Sequence, residues 1–157
     1  MVAELLPTGE MVAVAWLKTN VAYLDGLVAT SLPNDIEGWK DKGFTVVNSV
    51  GGGVANNGKR HTVVSLAFYG VKSESGKAPW NRVGQLAEQI REASDPTNKA
   101  YATTRAKYRI TNLGSAYKDA KVLEAGLLSE PRRRPGDDGD YAVIVADFEL
   151  KWVVVNA

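Results

Sequence analysis

The strongest constraint on the fold is a two-armed apolar segment, residues 118–155, whose arms flank a Pro-Arg-Arg-Arg-Pro-Gly-Asp-Asp-Gly-Asp tip. The second arm alternates between apolar and polar positions, and Asp147, Glu149 and Lys151 interrupt its polar face. A period of two over such a run predicts a β-strand. The apolar positions that share the other face are Ala142, Ile144, Ala146, Phe148, Leu150, Trp152 and Val154.

This predicted hairpin is longer than a small domain needs. At about 3.3 Å per residue the second arm alone spans roughly 50 Å, whereas a typical strand spans about 17–20 Å. We therefore expect part of the hairpin to bend or to project from the domain. A projecting hairpin with a charged tip suits a protein that works by contacting other proteins.

Composition predicts one globular domain covering residues 1–157. The chain is 45% hydrophobic and 24% charged, with a net charge of +1, and a dedicated nucleic-acid-binding domain usually shows a basic excess. Cysteine is absent, which excludes disulfides and thiolate sites and fits folding in a reducing cytoplasm. We expect no secretory signal and no membrane-spanning helix, because no apolar run approaches about 20 residues.

The remaining elements are predicted from their periodicity. Residues 8–24 and the stretch that begins at Pro79 show helical spacing, while residues 44–50, 61–71 and 106–112 read as strands. Trp39 is expected to dock inward from a turn. The apolar stripe of the second helix consists of Trp80, Val83, Leu86, Ala87 and Ile90. We therefore expect an α+β domain with a mainly antiparallel or mixed sheet of four to five strands, two principal helices packed on it, and a long C-terminal hairpin.

Residues 51–58, which lie between the first two predicted strands, are rich in glycine and asparagine. They contain Gly51-Gly52-Gly53 and Asn56-Asn57-Gly58, residue types that supply positive backbone angles. A phosphate-binding loop would need a helix after it, and here a strand follows. We therefore expect a hairpin with a long, mobile loop.

Neither a catalytic nor a metal-binding arrangement is evident in the sequence. His61 is the only histidine, and no serine lies in a nucleophile-elbow context, so a small hydrolase using His61 is a weak hypothesis. Asp137, Asp138 and Asp140 form an acidic cluster, but an alignment with a calcium-binding loop places Arg134 where the first aspartate belongs. We expect no enzymatic activity, no metal and no cofactor.

Three consecutive arginines in the tip leave three alternatives open. Their guanidinium groups suit acidic partner surfaces, or the phosphates of a nucleic acid if the chain is a nucleic-acid-binding module. Neighbouring acidic side chains can instead neutralise them within a solvated loop. The candidate contact residues are Glu130, Arg132, Arg133, Arg134, Asp137, Asp138 and Asp140.

Several strings distributed along the chain share a pattern with one family. The strings are Val14-Ala15-Trp16-Leu17, Val28-Ala29-Thr30-Ser31-Leu32-Pro33, Gly76-Lys77-Ala78-Pro79-Trp80, Gln85-Leu86-Ala87-Glu88-Gln89-Ile90 and Ser129-Glu130-Pro131-Arg132-Arg133-Arg134-Pro135-Gly136-Asp137-Asp138-Gly139. In these strings the chain resembles the tail terminator proteins of bacteriophages with long, non-contractile tails, particularly those that infect actinobacteria. None of the strings is a catalytic signature.

The resemblance implies a structural virion protein that assembles into a homo-hexameric ring on the head-proximal end of the tail tube. Such a ring ends tube polymerisation and joins the tail to the head-completion or stopper protein. Its partners would be further copies of itself, the major tail tube protein and the stopper, with genomic DNA passing through the lumen without sequence-specific binding. The protein would be found at the tail–neck junction of the virion, and in the host cytoplasm before assembly. The family pattern assigns no role to residues 51–58.

Overall fold

The computed structural model describes residues 5–54, 58–95, 109–110, 113–135 and 139–155. In chain order, the elements are α1 (Gly9–Asn20), a 3-10 turn (Ala22–Leu24), β1 (Val28–Ala29), β2 (Phe44–Val54), β3 (Arg60–Val71), α2 (Trp80–Ser94), β4 (Arg109–Ile110), β5 (Ala120–Leu127), β6 (Arg132–Arg133) and β7 (Tyr141–Val154). The α+β class predicted from the sequence is confirmed.

All strands belong to one mixed sheet in the order β1-β2-β3-β7-β5-β4, with β6 paired alongside β7. The pairing of β1 with β2 is parallel, and the other pairings are antiparallel. Four strands are long, namely β2, β3, β5 and β7, while β1, β4 and β6 have two residues each. The expectation of four to five main strands therefore agrees with the described part of the sheet.

The predicted C-terminal hairpin exists over almost its full length. At one end the amide of Val155 donates to the carbonyl of Asp119 at 2.9 Å, and at the other the amide of Arg134 donates to the carbonyl of Val143 at 3.0 Å. Between them, β5 and then β6 lie antiparallel to β7. The two segments act as one interrupted first arm.

We expected part of this hairpin to bend or to project, and its second arm does not project. Strand β3 pairs with β7 continuously, from Arg60 opposite Trp152 to Val71 opposite Tyr141. The long second arm is therefore the centre of the sheet, because β3 is of nearly equal length and supplies a partner along it. Alternation identifies a strand and its buried face, but it does not reveal how long the neighbouring strand is.

The helices pack against the predicted apolar face of β7. The residues of β7 in the main core are Ala142, Ile144, Ala146, Phe148, Leu150 and Trp152, with Val154 packed against them. Helix α1 contributes Trp16, whose ring centroid lies 5.4 Å from that of Phe148. The buried stripe of α2 contains Val83, Leu86, Ala87 and Ile90. The predicted core face is confirmed, and so is the predicted helix stripe except at Trp80, which is only partly buried and packs against the core.

Within the part of the chain that the structure describes, the opposite face of the sheet is covered at one end only. Trp39 is buried there, as expected, with its ring centroid 5.9 Å from that of Phe44 and 6.0 Å from that of Tyr141. Val143 is buried in the same small cluster. Further along β7 this face carries the half-buried Glu149 and the exposed Lys151, so the uncovered end is polar.

Two predicted boundaries change in the structure. The helix expected at residues 8–24 ends at Asn20, where Val21 is extended and a separate 3-10 turn follows. The glycines at 51–53 lie within β2 and not in a loop, with a register shift between Ser49 and Gly51. Gly52 has a φ of +126°, and a side chain there would overlap the carbonyl oxygen of His61. Residues 55–57 lie outside the described part of the chain, and of the strand predicted at 106–112 only β4 lies within it.

Candidate protein–protein interface

The segment that carries the three arginines, residues 128–135, is held against β7; we call it the arginine segment. The amide of Leu128 donates to the carbonyl of Asp147 at 2.8 Å. The chain then leaves the regular ladder, and the Ser129 hydroxyl accepts a hydrogen bond from the Asp147 amide at 3.0 Å. A side chain thus replaces the missing backbone partner, and pairing resumes at β6. The segment is consequently fixed along its length.

Strand alternation separates the three arginines. The guanidinium carbon of Arg133 lies 4.1 Å from the ring centroid of Trp80, the first residue of α2. That of Arg134 lies 5.6 Å from the ring centroid of Tyr69, which packs against the small cluster on the other face. Arg132 contacts the Ser129 hydroxyl at 3.4 Å. Because successive side chains of a strand point to opposite faces, the three cations do not form one patch.

Glu130 is bonded to α2 and not to the neighbouring arginines. Its carboxylate lies 2.9 Å from the Arg91 guanidinium, which also contacts Glu88 at 3.1 Å. The hydrogen bond to Glu130, followed by the charge of Glu88, raises the pKa of Arg91 above its ordinary value. The Glu130 side chain is nevertheless 82% exposed. Local neutralisation of the arginines by acidic neighbours was one of the three alternatives, and the partner of Glu130 comes instead from helix α2.

The acidic half of the predicted tip is described only at Asp140. This residue is exposed in the turn before β7, and its carbonyl accepts a hydrogen bond from the amide of Lys72 at 2.9 Å. Asp137 and Asp138 lie outside the described residues. The structure therefore unites Glu130, Arg132, Arg133 and Arg134 in one segment and places Asp140 at the other side of the turn.

The residues that fix this surface are mostly ones that the sequence did not single out. Trp80 was expected in the core, but it is half-buried and lies under Arg133. Arg91 lies outside the apolar stripe of α2, and its guanidinium anchors Glu130. Leu128, at the start of the arginine segment, is 52% exposed and adds an apolar contact point. Alternation around β6 would have placed Arg133 opposite its two neighbours, but a two-residue strand gives too short a pattern to recognise.

His61 forms a cross-strand pair on the polar part of the sheet. Its Nε2 lies 2.7 Å from the Glu149 carboxylate on β7, and both side chains are partly exposed. Within the described ranges, no three side chains of the metal-binding types come together. No helix in those same ranges has the length and apolar character needed to cross a membrane.

No protein-family model matches the chain, and a search of curated proteins finds no significant match. Any functional proposal therefore depends on the residue patterns of the chain and on the geometry of its surface.

Proposed function

We propose that this protein is a structural subunit of a ring that caps the head-proximal end of a bacteriophage tail tube. In this proposal the ring is a hexamer, it ends polymerisation of the tube, and it offers a surface to the stopper protein of the head connector. The arginine segment is the contact surface on each subunit. The proposal joins the sequence resemblance to the geometry of that segment.

The observation that carries the proposal is that the arginine segment is exposed but already ordered. Arg133 packs on Trp80, Glu130 bonds to Arg91, and the backbone pairs with β7. A surface that is fixed before binding loses less conformational freedom when a partner docks. Arginine is also enriched at protein interfaces. A charged segment held in this way supports a binding role.

Ring geometry amplifies contacts that are individually weak. In a closed cyclic assembly, every subunit presents the same two surfaces to its neighbours, and the last contact closes the ring without further loss of freedom. Six identical arginine segments would also surround one axis. A partner with matching symmetry would then engage all six copies together.

Arg132 is the best residue with which to test the contact role. Arg133 and Arg134 lie against aromatic rings, so replacing all three arginines by alanine would remove packing contacts as well as surface charge. We expect Arg132→Glu to leave the far-UV circular dichroism spectrum and the urea midpoint unchanged. Tails assembled with this variant should be over-long or fail to join heads in negative-stain images.

Lys42→Glu is the matched control, because Lys42 is also an exposed cation but lies outside the arginine segment. The control should give normal tails. Normal virions from Arg132→Glu would count against a partner role for the segment. A protein that stays monomeric and never caps tubes would overturn the ring proposal itself. Salt-dependent DNA binding that Arg132→Glu abolishes would favour the nucleic-acid alternative.

A further inference from the structure

A surface recess lies beside the connection between β3 and α2. Its volume is about 540 Å³, which falls within the range of roughly 300–1,000 Å³ that is usual for ligand sites. One wall comes from the turn that contains Ile36, and the other comes from residues 71–82. The described residues that line the recess include none of the arginine segment. The recess is therefore a second candidate surface for binding.

The floor of the recess is apolar and lies between the two hydrophobic clusters of the domain. Ile36 and Val71 pack against the small cluster on one face of the sheet, and Ala78 packs against the main core on the other. Pro79 completes the floor. All four side chains are only partly buried, so they offer apolar surface to solvent. Such a floor favours an occupant that brings an apolar side chain.

Charged side chains form the rim of the recess. The Nζ atom of Lys40 lies 2.9 Å from the Glu37 carboxylate, and this hydrogen bond is the main cause of the raised pKa of Lys40. The charges of Asp41 and Glu74 raise the pKa of Lys40 further. The acidic residues of the rim therefore act on the side where Lys40 lies. The full rim consists of the cations Lys40, Lys72, Lys77 and Arg82 and the carboxylates Asp41 and Glu74.

The side of the rim next to α2 is positively charged. Lys77 and Arg82 are exposed, and none of the ion pairs within the described residues involves either side chain. Arg82 lies in the first turn of α2, which has no acidic residue and no side-chain cap. The positive end of the helix dipole therefore adds to the charge of the two side chains. This side of the rim favours an occupant that carries carboxylates.

Hydrogen bonds and packing order this side of the recess before any partner binds. In the turn before α2, the Ser73 amide donates to the Lys77 carbonyl at 3.0 Å, and the Lys77 amide donates to the Ser73 hydroxyl at 3.2 Å. Pro79 packs closely on Gly70 of β3, where an added Cβ would lie 2.9 Å from the proline ring. A surface that is already fixed loses less conformational freedom on binding.

We propose that the recess binds an acidic segment of a partner protein, with one apolar side chain of that segment on the floor and its carboxylates beside Lys77 and Arg82. A segment of this chemistry complements both the apolar floor and the positive side of the rim. A nucleic acid complements the cations alone, and Asp41 and Glu74 would repel its phosphates. The inference goes beyond the proposed ring and does not depend on it, because a single subunit contains the whole recess.

Fluorescence anisotropy with the purified protein tests this inference. The probe is a fluorescein-labelled peptide in which one leucine is flanked on both sides by aspartates. The Lys77→Glu/Arg82→Glu variant should bind it at least about tenfold more weakly than the wild type, because the reversed charges repel the carboxylates. Lys18→Glu/Lys121→Glu is the matched control, since both lysines are exposed outside the recess and the net charge changes equally. The control should bind within about twofold of the wild type.

Several results would overturn the inference. Equal weakening in both double variants would show a diffuse effect of net charge. Equal binding of a peptide with asparagine in place of leucine would show that the floor contributes nothing. A DNA duplex that displaces the peptide, and that binds the Lys77→Glu/Arg82→Glu variant more weakly, would assign the recess to nucleic acid. Absence of peptide binding at about 1 mM would leave the recess without this role. Circular dichroism checks that both double variants fold.

Discussion

The hydrogen bond between Trp152 and Thr62 is predicted to couple two neighbouring strands measurably. Trp152 is fully buried, and its Nε1 donates to the Thr62 hydroxyl at 3.0 Å. The Arg60 guanidinium lies over the same ring, 4.4 Å from its centroid. Trp152→Ala would combine the cost of a large cavity with the cost of the lost hydrogen bond. Trp152→Phe is the better probe, because it leaves a much smaller cavity.

The expected cost of Trp152→Phe is about 2–4 kcal/mol. A buried hydroxyl left without a partner costs about 1–3 kcal/mol, and Thr62 is only 6% exposed. The smaller ring adds about 1 kcal/mol through the space that it leaves. Thr62→Val leaves the indole N–H unpaired and should cost about 1–3 kcal/mol. The double variant removes both polar partners, so its cost should be smaller than the sum of the two by about 1–2 kcal/mol.

Urea unfolding of the wild type, the two single variants and the double variant measures this coupling energy, provided that the unfolding free energy depends on urea concentration with the same slope in all four. Trp16→Phe is the matched control, because the Trp16 N–H is buried and has no hydrogen-bond partner among the described residues. It should cost only about 1 kcal/mol. Costs that add within about 0.5 kcal/mol would show that the bond does not couple the strands. A control as costly as Trp152→Phe would refute the assignment to hydrogen bonding.

Two further substitutions test the packing and the surface. Gly70→Ala should destabilise the fold by about 1–3 kcal/mol, because the new methyl group would overlap Val83 and crowd Pro79. Gly126→Ala is the control, because a methyl group there would meet no other atom. Equal urea midpoints for the two variants would contradict this packing. Arg91→Ala removes two exposed ion pairs and should lower stability by less than about 1 kcal/mol. A loss above about 2 kcal/mol on urea unfolding would show that the link between α2 and Glu130 is structural.

The sequence predicts the faces of long elements well. Alternation along β7 predicts its core side down to Trp152, and the stripe of α2 predicts its buried residues. Both patterns extend over many residues, so one atypical position does not obscure them. Which strands lie beside β7 is harder to predict, because its pairing with β3 joins residues about eighty positions apart in the sequence. No local pattern encodes that distance, and for this reason the sequence could not show that the second arm pairs with β3 and does not project.

Short elements and side-chain partners were the least predictable features. Three adjacent arginines left several roles open, and the structure distributes their side chains between two faces around the two-residue strand β6. The glycines at 51–53 suggested a loop, yet β2 continues through them around a bulge. In both cases the deciding interaction comes from another strand, which stabilises a local conformation that the residue types alone do not favour.

The central position of β7 sets an order of events during biosynthesis. Strand β7 supplies one neighbour of both β3 and β5, and it follows every other described element in the chain. Until its residues have left the ribosome, Trp16 of α1 lacks Phe148, and the stripe of α2 lacks much of the sheet that covers it. Earlier strands can form their hairpin alone, but the domain as a whole completes its fold late. Non-local pairing of this kind slows folding and leaves apolar surface exposed to chaperones in the meantime.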